Sequence, residues 1–288
     1  MARRRLLLVA AGGVAIGVAT VTGRGGGGHL AANAQEAAPH TGPTRKPAKA
    51  ASNAHPARAA EHAPPRTVGT VGGQPMYYVD DGLDVIALTI DDGPSPVYTP
   101  QVLSILEKYD IKAAFSMVGE NVTYYPSIAR EVADAGHTIV NHTWNHANLM
   151  SMKRSKLPGE VDRATDAIHS ATGQRPGMFR APYGAWSPTL LDYCASEKLA
   201  PLDWSVDPQD WTRPGVSKIV KTIMGTTKTG SIILEHDGGG DRSETVAALK
   251  IVIPRLIDEG YMFTVPLAAG RDASGGPGSA GAAPGRPG

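Results

Sequence analysis

This 288-residue chain predicts an α/β fold with parallel strands, on three observations. Seven short apolar, β-rich runs lie between residues 85 and 266, six amphipathic stretches separate them, and most runs are followed at once by ionisable or aromatic residues. The runs cover 85–90, 112–118, 137–141, 177–180, 200–206, 230–234 and 261–266, and each is read as a strand. The helical patterns cover 99–109, 127–135, 159–171, 188–197, 216–228 and 243–259. The fourth of these has a marked start, because Pro188 suits a first helical turn and Ser187 offers an N-cap oxygen. Repeated strand–helix units imply parallel strands with helices outside, either as an open doubly wound sheet or as a barrel short of eight strands. In both architectures chemistry gathers beyond the carboxyl ends of the strands.

The flanks read differently. Gly (34) and Pro (23) crowd toward the two ends without a repeat, which excludes a collagen-like chain and confines the folded body to the middle. A formal charge of +1 excludes bulk nucleic-acid electrostatics, so no nucleic-acid partner is expected. That total hides an asymmetry: residues 1–74 hold nine Lys/Arg against two acids, whereas residues 75–268 hold seventeen against twenty-four. Arg3, Arg4 and Arg5 before the apolar stretch 6–21 form an export signal, taken as residues 1–34 with Ala32-Asn33-Ala34 as the cleavage site. Sec and twin-arginine export both suit it. The expected location is secreted, extracellular or wall-associated, and an uncleaved signal would instead tether the chain to the membrane. Residues 35–74, basic and rich in Ala and Pro, are read as a disordered linker, 75–269 as the catalytic domain and 270–288 as a disordered tail. Cys194 is the single cysteine, which excludes an intramolecular disulfide and multi-cysteine metal sites; a metal would fall to His and carboxylates.

Five of the seven strands deliver reactive side chains to one rim. Asp91-Asp92-Gly93-Pro94 follows the first, and adjacent carboxylates need a compensating cation or arginine. His142 and His146, spaced i, i+4 just past the third, could converge on one ion; Thr143 stands where a zincin would carry Glu, so a base must come from another strand, Asp91 or Asp92. Two His and one Asp would leave a position for water. Arg180, after Met178-Phe179, is read as the charge that orients the spare carboxylate, and Pro182-Tyr183-Gly184 as a bend whose backbone N–H faces a developing oxyanion. His236 has the range of a general acid, with Asp207 as its candidate carboxylate partner and Asp237 as the competitor. Tyr183, Trp204 and Trp211 could offer faces to sugar rings, and Gly238-Gly239-Gly240 reads as a flexible turn.

Taken in order, Thr89-Ile90-Asp91-Asp92-Gly93-Pro94, His142 to His146, Arg180 to Gly184, Asp207 to Trp211 and Leu234 to His236 resemble the five motifs of the NodB-homology polysaccharide deacetylases, carbohydrate esterase family 4. The resemblance spans about residues 84–268, with Ile90 in place of the family's usual Phe. It implies a distorted, incomplete (β/α) barrel of about seven parallel strands. It implies Asp92, His142 and His146 as metal ligands, Asp91 as base held by Arg180, and His236 as acid paired with Asp207. Tyr183 would join the oxyanion hole, and Trp211 with Leu234 would line an acetyl pocket. The implied cofactor is a divalent metal, zinc first, with Co2+, Ni2+ or Mn2+ able to take the same donors. The implied activity is hydrolysis of N-acetyl groups on N-acetylglucosamine polymers of chitin or peptidoglycan type, by a monomer. Alternatives are an O-acetyl xylan esterase of the same fold, a non-catalytic wall-binding module, and a two-carboxylate glycosidase that would ignore a chelator.

Overall fold

A computed structural model describes residues 68–69 and 73–268. The export signal, most of the linker and the C-terminal tail lie outside the described residues. In chain order the elements are β1 (Val68–Gly69), β2 (Val85–Asp91), α1 (Thr99–Lys108), β3 (Ala114–Met117), α2 (Gly119–Tyr124), α3 (Pro126–Asp134), β4 (Thr138–Asn141), α4 (Val161–Thr172), β5 (Met178–Phe179), α5 (Pro188–Ser196), β6 (Ala200–Pro201), α6 (Val216–Thr226), β7 (Ile232–His236), α7 (Ser243–Asp258), β8 (Met262–Thr264) and β9 (Leu267–Ala268). Ser187 caps α5, its hydroxyl accepting from the Leu190 N–H.

The main sheet is parallel, ordered β6-β5-β4-β3-β2-β7, with β8 beside the N-terminal part of β2. It curls into an incomplete barrel. The edges at β6 and β7 are drawn together by single bridges, Met76 to Leu202, Tyr78 to Ser231 and Val206 to Ile233. Strand alternation sorts the side chains. Along β2, Ile86, Leu88 and Ile90 join the large core beneath the helices, while Ala87 joins the smaller inner core with Ala114, Val140, Met178 and Ile232. The inner face therefore carries Ala87, Thr89 and then Asp91 toward the barrel mouth.

The structure departs from the sequence reading in three places. The run 200–206 is a ladder only at Ala200–Pro201, because the next residues leave β5 and cross toward β7, making the seam. Helix α2, six residues long, is too short to show a helical period. Val68–Gly69, inside the stretch read as linker, pairs in parallel with Leu267–Ala268, a long-range contact without a local sequence signature.

Helix α2 sits tightly on α4. A Cβ at Gly119 would lie 2.8 Å from Ala164 Cα and 2.9 Å from Trp144 Cε3, whereas one at Gly159 would meet nothing within 4 Å. Gly119→Ala should therefore lower the unfolding free energy by about 1–3 kcal/mol through overpacking. Gly159→Ala should stay within about 0.5 kcal/mol of wild type, both read by urea denaturation.

Candidate active site

The inner face of β2 ends in a buried ion pair. Arg180, fully buried just beyond β5, donates from Nη1 to Asp91 Oδ1 at 2.7 Å and to Thr89 Oγ1 at 2.8 Å, and from Nη2 to the Asp203 carbonyl at 2.8 Å. The guanidinium thus serves one oxygen of Asp91 and leaves Oδ2, 3.8 Å from His142 Nε2, without a cationic partner of its own. Removing one member of such a buried pair strands the other's charge.

Asp92 turns the other way, its backbone in the left-handed region at φ 74°. Its Oδ1 lies 3.5 Å from His142 Nε2 and 3.3 Å from His146 Nε2, and the three donor atoms fall within 4.8 Å of one another. His142 Nδ1 is 2.8 Å from the Arg180 carbonyl, and a carbonyl only accepts, so the proton of a neutral ring sits on Nδ1. The Nε2 lone pair then faces the carboxylate. Two acceptors face each other stably only across a cation or a proton, and Asp92 Oδ1 is buried without a hydrogen-bond partner. The donor set therefore fits a divalent cation. Burial alone would raise the Asp92 carboxyl, but the neighbouring imidazoles of His142, His236 and His146 outweigh it and hold the group below the ordinary carboxylate range. Burial pushes the His146 imidazole down, which keeps a metal-binding lone pair free at neutral pH.

Across the cleft stands His236, in register with Asp91 on β2. Its partner is Asp210, not Asp207: Asp210 Oδ1 accepts from His236 Nδ1 at 2.7 Å, and Oδ2 accepts from the His236 backbone N–H at 3.0 Å and from Thr245 Oγ1 at 2.6 Å. The expected pairing with Asp207 fails for a local reason. Asp207 Oδ1 accepts the Gln209 N–H at 2.7 Å, an Asx-type turn, and Gln209 at φ 56° swings the chain so that the next residue meets the end of β7. Asp207 instead lines the cleft, its carboxyl pushed up by burial. Burial would lower the His236 imidazole; the hydrogen bond and charge of Asp210, reinforced by Asp92 and Asp91, raise it to about 9.

These groups open into one cleft of about 580 Å³. Its wall includes Tyr183, Trp204, Trp211, Leu234 and Arg242, with Tyr183 and Trp211 more than half exposed. The Tyr183 ring meets the His146 ring edge-on at 4.7 Å between centroids. Asp92, Thr143, His146, Tyr183 and Gln209 all have positive φ, between 56° and 74°. Non-glycine residues pay for that conformation, and its concentration around one cleft marks a site where geometry is held against local preference. Gly238, read as part of a flexible turn, instead backs the Asp92 loop: any side chain there would collide with the Asp92 carbonyl.

The sequence profile described as polysaccharide deacetylase matches residues 79–200. Over 193 residues the chain is 38% identical to a chitooligosaccharide deacetylase of Sinorhizobium fredii, covering 63% of this chain and 90% of that protein. It is 37% identical to a peptidoglycan-N-acetylglucosamine deacetylase of Bacillus cereus, covering 66% and 90%. The chain belongs to the polysaccharide deacetylase family. A crystal structure of a peptidoglycan N-acetylglucosamine deacetylase matches this polysaccharide deacetylase with a TM-score of 0.64 at 30% identity, covering 66% of this chain and 89% of that one.

Two residues of this family member escaped the sequence reading. Asp210 was masked by its neighbour in Asp207-Pro208-Gln209-Asp210, where spacing alone does not choose between acids. Asn121, on the unpredicted α2, donates to the Asp92 carbonyl at 2.8 Å and had no signal. The pairing is testable by NMR titration of His236 in metal-free protein. Asp210→Asn should bring its pKa from about 9 toward or below the ordinary 6.5, whereas Asp207→Asn should leave it near 9. A larger fall in the Asp207 variant would reverse the assignment.

Proposed function

We propose that this chain is an exported, metal-dependent deacetylase that hydrolyses the N-acetyl amide of N-acetylglucosamine units in chitin- or peptidoglycan-type polymers. The observation that carries the reading is the convergence of Asp92, His142 and His146 between a free oxygen of Asp91 and the ring of His236. The relatives named for chitooligosaccharide and peptidoglycan favour N-acetylglucosamine as the target sugar. The arginines and apolar run at the N-terminus favour export to where such polymers lie.

Asp92, His142 and His146 would hold the metal, and two imidazoles with one carboxylate suit zinc in the three-ligand arrangement of its catalytic sites. A divalent cation bound there supplies polarisation of the acetyl carbonyl and a lowered proton affinity for water. Asp91, held by Arg180 through Oδ1, takes the proton of the attacking water on Oδ2. As water oxygen bonds to the acetyl carbon, the Tyr183 backbone N–H faces the charge that develops on the carbonyl oxygen. The C–N bond then breaks, and His236 passes a proton from Nε2 to the leaving nitrogen, giving acetate and a free amine. Nδ1 is committed to Asp210, so Nε2 is the nitrogen available to the cleft. An amide nitrogen leaves poorly unless protonated, which is why a strongly held acid suits this substrate. Leu234 and Trp211 would border the acetyl methyl, and the exposed rings of Tyr183 and Trp211 would meet sugar faces.

Acetate release from chitin oligomers, peptidoglycan and acetylated xylan, with and without chelator, tests this. The two N-acetylated polymers should be cleaved, chelation should abolish the activity, and zinc should restore it. Full activity without metal, or cleavage of xylan alone, would overturn the reading. Asp92→Ala should lose bound metal together with activity, while His236→Ala should keep its metal and lose about a hundred- to ten-thousand-fold in amide turnover. Activity should also fall as pH rises through the pKa of His236, at or below about 9, since a cation beside Asp92 opposes the protonated ring that Asp210, Asp91 and Asp92 favour.

A further inference from the structure

Glu235 is a buried ionisable group that this mechanism does not use. It stands on β7 between Leu234 and His236, both of which line the cleft, and alternation turns its side chain the other way. Its register partner Ile90 and its strand neighbours on that face, such as Ile233, belong to the apolar core beneath the helices. Glu235 is fully buried there, and neither carboxyl oxygen has a hydrogen-bond partner. Among the described residues no cation pairs with it. The groups it senses are carboxylates, Asp210 first and Asp207 second, and Asp210 is the residue that grips His236.

An ionised carboxylate only accepts hydrogen bonds, so facing another carboxylate in an apolar layer it would meet repulsion and nothing to accept from. A proton on Glu235 reverses both, converting the encounter into an O–H···O⁻ bond toward Asp210. The direction of assignment is fixed by partners. Asp210 already accepts from His236 Nδ1, the His236 N–H and Thr245 Oγ1, three donors that favour its ionised form, whereas Glu235 has none. We infer that Glu235 is a positioning residue, a neutral carboxylic acid that donates to Asp210 and so completes a Glu235–Asp210–His236 relay behind the cleft. Burial and the two aspartates push the Glu235 carboxyl well above the ordinary glutamate range, in agreement with that state. By sharing the charge of Asp210, the added donor limits how tightly His236 holds its proton.

The inference rests on His236 acting as the acid, but its protonation part is testable without any substrate. At neutral pH the infrared difference between wild type and Glu235→Gln should contain the carbonyl stretch of a protonated carboxylic acid. Glutamine keeps a neutral donor, so in metal-free Glu235→Gln the NMR titration of His236 should match wild type and kcat should stay within about twofold. Glu235→Met removes the donor; His236 should then titrate about one pH unit higher, as expected for losing a hydrogen bond to a charged group, and kcat should fall several-fold with KM unchanged. Three results would each overturn the relay: no carboxylic acid band, a Gln variant whose His236 titration drops as a lost negative charge requires, or a folded Met variant with titration and kcat unmoved. If Glu235→Met does not fold, the Gln variant decides alone. A failure of the proposed substrate would leave the infrared and titration results standing.

Discussion

Asp91 and Asp92 place two carboxylates on consecutive residues at the end of a buried strand. Two like charges 4 Å apart repel by about 4 kcal/mol at the effective dielectric of a protein surface, and the cost rises inward. The fold meets it by separating the two side chains and giving each its own answer. Strand alternation carries Asp91 inward onto Arg180, and the left-handed backbone at residue 92 carries Asp92 out toward two imidazoles. Because Arg180 also donates to Thr89 and to the Asp203 carbonyl, its position is fixed independently of Asp91. Asp91 is then held by the sheet rather than by a loop.

The same economy appears on the far side of the cleft. Asp210 accepts the backbone N–H of His236 and its ring Nδ1 together, so one carboxylate both terminates the open edge of β7 and sets the tautomer of the ring. The parallel register that sets Asp91 beside His236 brings both side chains to one mouth from adjacent strands. Backbone pairing and chemistry therefore share groups, and a substitution at Asp210 acts on both.

Much of this was legible in the sequence because it depends on period and order. The six longer helices and the central strands follow from alternation between apolar runs and amphipathic stretches, and reading just past each strand finds Asp92, His142, His146, Arg180 and His236. Choices that depend on three-dimensional paths were not legible. Nothing in Asp207-Pro208-Gln209-Asp210 says which acid meets His236, since the answer lies in a left-handed turn at Gln209. Asn121 rides on a helix too short to leave a pattern, and Val68–Gly69 pairs with residues some two hundred positions away. The i, i+4 spacing of the histidines suggested convergence, but they converge on a turn with Thr143 and His146 in left-handed conformation rather than on a helix face.

The run Leu234-Glu235-His236-Asp237 shows how partners, more than residue type, decide charge in this protein. His236 faces the cleft, and its bond to Asp210 raises its imidazole above the ordinary histidine range. Asp237, fully buried just past β7, receives a hydrogen bond from Thr99 Oγ1 at 2.6 Å, and burial lifts its carboxyl to about 7. Asp91 lies as deep as these acids yet has a guanidinium, and Asp92 has imidazoles. Asp91 and Asp92, each with a positive partner, line the cleft, while Glu235 points away into the apolar layer. Alternation sets His236 at the mouth and Glu235 in the apolar layer, so a one-residue slip of β7 against β2 would bring Glu235 to the mouth and send His236 into that layer. The buried pairing of Ile90 with Glu235 and of Asp91 with His236 is thus a condition for the chemistry as much as for the core.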